Sequence, residues 1–128
     1  MIVNMCDSLE PVATMELPVR ERGVCCTPPR RMRADRVAEL TDVMKALADP
    51  TRLEIVGILR DAKEPICICD LATAFDLSQP TLSHHMAKLK AAGLVESGKS
   101  GIWCFYSLRT DLPPQVRRIV EVVAQHAS

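Results

Sequence analysis

Residues 67–91 constrain this chain more than any other stretch, because they carry two short helical patterns separated by only three residues, Asp76-Leu77-Ser78. Two short helices on so tight a connection have the dimensions of a helix-turn-helix, in which they cross at a steep angle. The first pattern, over 67–75, turns Leu71, Ala74 and Phe75 inward. The second opens at Ser78, an N-cap residue for the free N–H groups of the next turn, runs to about Ala91 and stops at Gly93. With Leu82 at zero on a wheel of about 100° per residue, Met86 falls near 40° and Leu89 near −20°, which defines the buried stripe. Pro80, Thr81, His84 and Lys88 fall opposite, at roughly 160–260°. His85 lies near the buried flank, so the two neighbouring histidines have different surroundings.

That outward face carries no acid. Glutamine and threonine hydrogen-bond base edges or phosphate oxygens, and lysine neutralises phosphate. The formal net charge of the whole chain is +0, so bulk charge does not point to nucleic acid. Local charge does: residues 78–109 hold Lys88, Lys90, Lys99 and Arg109 against Glu96 alone. Residues 17–36 hold Arg20, Arg22, Arg30, Arg31, Arg33 and Arg36 against Glu21 and Asp35. Ser78, Gln79, Thr81, Ser83, His84, Lys88 and Lys99 are the candidate contacts to double-stranded DNA.

The rest of the chain surrounds this pair. Residues 1–33, with Pro11, Pro18, Pro28 and Pro29 and no sustained apolar period, read as a flexible arm carrying Cys25-Cys26. Residues 34–126 read as one domain. Val37, Leu40, Met44 and Leu47 make one face of a helix, and Asp49-Pro50 ends it and starts another. Leu53, Val56, Ile58 and Leu59 fill the buried side of that second helix. Residues 94–97 and 102–107 are rich in β-branched or aromatic residues and flank Gly98-Lys99-Ser100-Gly101, which reads as a β-hairpin with a basic tip. After Pro113-Pro114 a last helix carries Val116, Ile119, Val120, Val122 and Val123, more apolar surface than a monomer of this size needs. The expected fold is therefore mainly α with a small β-hairpin, in the order α-α-α-α-β-β-α, and a homodimer joined through the first and last helices.

At 128 residues and 48% hydrophobic, the chain has enough for one core. No stretch approaches the roughly 20 apolar residues of a membrane span, and residues 1–15 lack the pattern of a signal peptide, so a cytoplasmic protein without membrane contact is expected. Six cysteines in a reducing compartment argue for metal binding, redox sensing or burial over disulfides. Cys67-Ile68-Cys69 is the informative spacing. Helical residues two apart point about 200° from each other and cannot share an ion. They converge only at a helix start, where Cys67 acts as an N-cap outside helical φ/ψ. Exposed N–H groups and the helix dipole there are expected to lower the thiol pKa.

Thiolates select soft ions. Arsenite or antimonite takes three sulfurs in a pyramid, whereas cadmium, lead or zinc accepts three or four. Cys67 and Cys69 are too few alone, and Cys25 and Cys26 on the arm are the candidate source of the rest. Cys104, beside Trp103 and Phe105, reads as a core residue, and Cys6 as an arm thiol without a role. An oxidant sensor would use the same cysteines without metal. A metal buffer would leave the helix pair unused, and no nucleophile–base pair, phosphate loop or paired acids indicate an enzyme.

From about Asp35 to Val123 the chain resembles the ArsR/SmtB family of winged helix-turn-helix metalloregulatory repressors. The matching pieces are Lys45-Ala46-Leu47-Ala48-Asp49-Pro50-Thr51-Arg52-Leu53, Cys67-Ile68-Cys69-Asp70-Leu71, Leu77-Ser78-Gln79-Pro80-Thr81-Leu82-Ser83-His84-His85 and Ala92-Gly93-Leu94-Val95. The resemblance implies a homodimer on an inverted-repeat operator upstream of a resistance or efflux operon, released by its metal. It implies that the helix over 78–91 enters the major groove and that the hairpin is the wing. Arsenic sensors of the family often carry a further cysteine three residues after the second thiol, where Ala72 stands here, and others carry a vicinal pair near the N-terminus, which Cys25-Cys26 matches. Cadmium and lead sensors pair the same two thiols with arm cysteines. The zinc-type site of the last helix has no counterpart, since residues 111–126 offer one histidine, His126. The inducer implied is As(III) or Sb(III), with Cd(II) or Pb(II) as the alternative.

Overall fold

A computed structural model of the protein describes residues 16–23 and 26–124. The chain forms two compact units, Met1–Arg31 and Met32–Ser128. The described part of the first is irregular and exposed, with one turn at Arg22 and Gly23. The second holds α1 (Ala34–Leu47), α2 (Pro50–Asp61), β1 (Ile66–Cys67), α3 (Ile68–Phe75), α4 (Gln79–Ala91), β2 (Val95–Ser100), β3 (Trp103–Leu108) and α5 (Pro114–Ala124).

Local chemistry sets most of the helix ends. The Asp49 carboxylate accepts the Arg52 N–H at 3.0 Å with Pro50 opening α2, and the Ser78 hydroxyl accepts the Thr81 N–H at 3.3 Å with Pro80 in the first turn of α4. The α3 helix ends on Asp76 in the left-handed region, φ 52°, where the Leu77 N–H returns to the Ala72 carbonyl at 3.0 Å. The α4 helix ends the same way on Gly93, φ 77°: the Leu94 N–H reaches the Leu89 carbonyl at 3.1 Å and the Gly93 N–H reaches that of Lys90 at 3.0 Å. Two left-handed stops thus bracket α4.

One core gathers Ile55, Val56 and Leu59 of α2, Leu71 and Ala72 of α3, Leu82, Met86 and Leu89 of α4, and Val116 and Val120 of α5. The buried side of α2 therefore includes Ile55, while Leu53, expected inside, is exposed and Ile58 half-buried. In α3 the inward residue is Ala72 and not Ala74, which is exposed. The face expected of α1 is rotated too. Val43, Ala46 and Leu47 pack on the core, whereas Val37 and Met44 are exposed.

The hairpin differs from expectation in two ways. A two-residue strand, β1, pairs with β3 in the register Ile66↔Tyr106 and Cys67↔Phe105, giving a three-stranded antiparallel sheet in the order β1-β3-β2. So the order gains a strand before the third helix. Second, Ser100 pairs with Trp103, so Gly98-Lys99-Ser100 continues the strand and the turn is Gly101-Ile102. Gly101 takes a φ of 61° at the first turn position and Ile102 has no positive φ, the pattern of a II′ turn, whose twist matches that of the flanking strands. Among the described residues no helix is long and apolar enough to cross a membrane.

Candidate nucleic-acid interface and adjoining thiol pair

The α4 helix divides as its sequence requires. Leu82, Met86 and Leu89 are 0% exposed, and Gln79, Thr81, Ser83, His84 and Lys88 are all exposed. Ser78 is exposed as well, but its hydroxyl is engaged: it accepts from the Thr81 backbone and lies 2.9 Å from the Thr81 hydroxyl. Lys99 is exposed on β2, opposite Cys104. Of the other cations in this stretch, Arg109 is held by the Asp111 carboxylate at 2.9 and 2.8 Å and Lys90 donates to the Ser97 hydroxyl at 2.8 Å. The Lys90 bond fastens β2 to the last turn of α4.

His85 is half-buried, as its wheel position requires. Its Nδ1 lies 3.3 Å from an Arg52 Nη1 and 3.8 Å from the Asp49 carboxylate, while Arg52 Nε donates to the Ala46 carbonyl at 2.6 Å. One guanidinium thereby joins the end of α1 and the start of α2 to the reading helix. The backbone N–H of Arg52, then the positive charges of Arg52 and His85, outweigh burial and hold the Asp49 carboxyl below its ordinary value. Lys45, Arg52 and Lys88 also line one recess of about 450 Å³ between these helices. Sequence reasoning missed Arg52, because its partners lie on other helices.

The hairpin tip is apolar. Ile102 is 90% exposed and Trp103 51% exposed. Cys104, expected in the core, is half-buried, and burial first, then the Cys104 thiol, raises the Tyr106 hydroxyl above its ordinary value.

Cys67 is the N-cap of α3, with φ −67° and ψ 139°, and it is buried at the end of β1. This extended cap brings its sulfur to 2.8 Å from that of Cys69, so the two thiols share one spot despite their spacing. The Cys69 thiol also reaches the Asp70 carboxylate at 3.9 Å. Its pKa is raised and not lowered: the hydrogen bond with Cys67 comes first, then burial, then the charges of Cys67 and Asp70. The helix-terminal N–H of Asp70 acts in the expected direction but is outweighed. Cys69 shares a recess with Asp76, Leu77 and Gln79, which carries its surface to the first residue of α4. Cys25 lies outside the described residues, and Cys26 is exposed in the first unit. Among the described residues, no group of three or more His, Cys, Asp or Glu is placed to hold a metal ion.

Comparison with known proteins extends these observations. The family described as "Bacterial regulatory protein, arsR family" matches residues 49–97. The chain is 43% identical over 79 residues to the arsenical resistance operon repressor of Escherichia coli, covering 62% of this chain and 67% of that one. It is 34% identical over 94 residues to a putative arsenical resistance operon repressor of Halobacterium salinarum, covering 73% and 79%. Its fold is similar to that of HlyU from Vibrio cholerae, with a TM-score of 0.62, 30% identity and coverage of 71% and 94%. The family match spans α2 to the start of β2, and with these relatives it shows that the chain belongs to the ArsR/SmtB family of winged helix-turn-helix transcriptional regulators, which bind DNA and are not enzymes.

Proposed function

We propose that this repressor acts as a homodimer on operator DNA and is released when trivalent arsenic or antimony binds its cysteine thiolates. The observation that carries this reading is the 2.8 Å approach of the Cys67 and Cys69 sulfurs at the cap of α3, one short helix upstream of the reading helix. Cys67 and Cys69 would hold two positions of a three-sulfur pyramid, and Cys25 or Cys26 of the arm would complete it. Such an ion supplies a cross-link between sulfurs that otherwise only touch. Relatives that repress arsenical resistance operons support the choice of ion.

Two connections lead from the thiols to DNA. Cys67 closes β1 and pairs with Phe105 of β3, and Cys69 lies in the first turn of the helix whose far end turns into α4. Movement of the cap therefore bears on wing and reading helix together. A coupling of about 1–3 kcal/mol lowers DNA affinity roughly 5–150-fold. Gln79, Thr81, Ser83 and His84 face the bases in this reading, and Lys88 and Lys99 face phosphate. The exposed apolar side chains of Val37, Met44, Leu53 and Val122, on α1, α2 and α5, support pairing of two subunits through these helices.

A four-thiolate cadmium or lead site would use the same cysteines. The sulfur contact also favours a second reading, in which an oxidant joins Cys67 to Cys69 and no metal takes part. DNA-binding anisotropy separates them. With wild type and single Cys→Ser variants titrated with arsenite, cadmium and peroxide, arsenite is expected to release DNA from wild type and not from Cys67→Ser or Cys69→Ser. Release by peroxide alone would favour the oxidant reading. An unchanged arsenite response in Cys25→Ser and Cys26→Ser would remove the arm from the site.

A further inference from the structure

The wing ends in a surface that neither the reading helix nor the thiols explain. Its turn residue Ile102 is 90% exposed, and Trp103 beside it is 51% exposed, although both are costly to leave in water. Two side chains are too small a patch for a protein partner, since a stable protein interface buries about 1,600 Å² in total. Their setting narrows the choice further. Lys99 is exposed on the strand leading to the tip, Glu96 stands back near the start of β2, and Ser97, Gly98 and Ser100 are uncharged. An apolar point whose nearest charge along the strand is the lysine Lys99, with Glu96 set further back, suits a polyanion whose interior is apolar and stacked.

Position agrees with that occupant. The Lys90–Ser97 hydrogen bond anchors β2 on the last turn of α4. From Ser97 to Gly101 an extended strand reaches about 13 Å, enough to carry the tip from a helix in the major groove across the phosphate backbone to the neighbouring minor groove. Proteins that enter the minor groove insert isoleucine, leucine or phenylalanine between base pairs and kink the duplex there. Flexible pyrimidine–purine steps such as TA yield readily, and A-tracts resist.

We propose that Ile102, backed by Trp103, is an apolar wedge that enters the minor groove beside each half-site and partly unstacks a flexible base step. The wing then selects operators by deformability, a preference separate from base reading by α4. This rests on the DNA-binding reading above, and the experiment below distinguishes failure of one from failure of the other.

Trp103 is the single tryptophan of the chain, so its emission reports on the wing tip alone. The probe is a fluorescein-labelled duplex selected by the full-length protein from a randomised pool, made in two forms with a TA step or an A-tract flanking each half-site. Anisotropy reads binding, Trp103 emission with acrylamide quenching reads the tip, and 2-aminopurine at the flanking step reads unstacking. Binding of the TA duplex is expected to shield Trp103 from acrylamide and brighten 2-aminopurine. Wild type should prefer the TA form about tenfold, within the range for one altered base pair. Ile102→Ala should abolish that preference, bringing affinity for the TA duplex down towards that for the A-tract form. Ile102→Lys adds one cation per half-site and should steepen the salt dependence by about two counterions per dimer without restoring the preference. Binding with Trp103 still open to acrylamide, or an Ile102→Ala protein that keeps the preference, would overturn the wedge alone. Absence of any anisotropy change would overturn the DNA reading and the wedge with it.

Discussion

At the scale of single residues, Cys69 shows how a neighbour can reverse the effect of a helix terminus. The first turn of α3 favours thiolate, but a second thiol 2.8 Å away and partial burial favour the protonated form. This bears on which ion the pair takes. Arsenous acid condenses with thiols, forming As–S bonds and releasing water with no net proton, whereas cadmium displaces one proton per thiol. Cadmium affinity is therefore expected to rise with pH through the neutral and alkaline range, where the raised Cys69 proton must be displaced, while arsenite affinity stays nearly level below the thiol pKa. Competition titrations at several pH values check this; parallel pH profiles would contradict it. Ser78 gives a second prediction. Its hydroxyl satisfies the Thr81 N–H, so Ser78→Ala is expected to cost about 1 kcal/mol in urea unfolding, whatever its effect on DNA.

At the scale of elements, besides the Lys90–Ser97 bond at its end, α4 is held by Ser78 at its start, by the buried stripe of Leu82, Met86 and Leu89, and, third, by the Arg52–His85 contact on its flank. The third gives His85 a task different from that of His84. His84→Ala is expected to change which duplexes are preferred. His85→Ala should weaken all duplexes alike with no change in salt dependence, since it lets the helix shift without removing a phosphate contact. Lys88→Ala should also weaken all duplexes, but reduce the salt slope by about one per half-site, about two for the dimer. Salt titrations of the three variants separate these outcomes.

At the scale of the whole molecule, the exposed stripe of Val37 and Met44 on α1 continues across Leu53 of α2 to Val122 of α5, and Leu53, Val122 and Val123 line both apolar recesses on that side. Burying it between two copies would add hydrophobic stabilisation and set the spacing of two reading helices. Val122→Glu and Leu53→Glu are expected to yield monomers by sedimentation equilibrium, with helical circular dichroism retained and operator affinity reduced at least tenfold, since one half-site contact is lost. A dimer unaffected by either change would move the interface elsewhere.

What the amino-acid order determined alone was the set of locally encoded features. Asp49-Pro50 and Ser78 are caps whose partners lie three residues on, Gly93 stops α4 through bonds to Leu89 and Lys90, and the Leu82, Met86, Leu89 stripe follows from helical period. The convergence of Cys67 and Cys69 was legible as the requirement for one extended cap residue, and the pairing of Cys67 with Phe105 then holds that cap extended. Only tertiary structure decided the features that depend on distant neighbours. Two residues at 66–67 become a strand because β3 lies beside them, and the wing turn moves to Gly101-Ile102 because pairing continues to Ser100 and Trp103. The core chose Val43 and Ala46 over Val37 and Met44 because α1 carries apolar side chains on two faces and only packing selects between them. The Arg52–His85 bridge joins residues on helices whose approach no local pattern encodes.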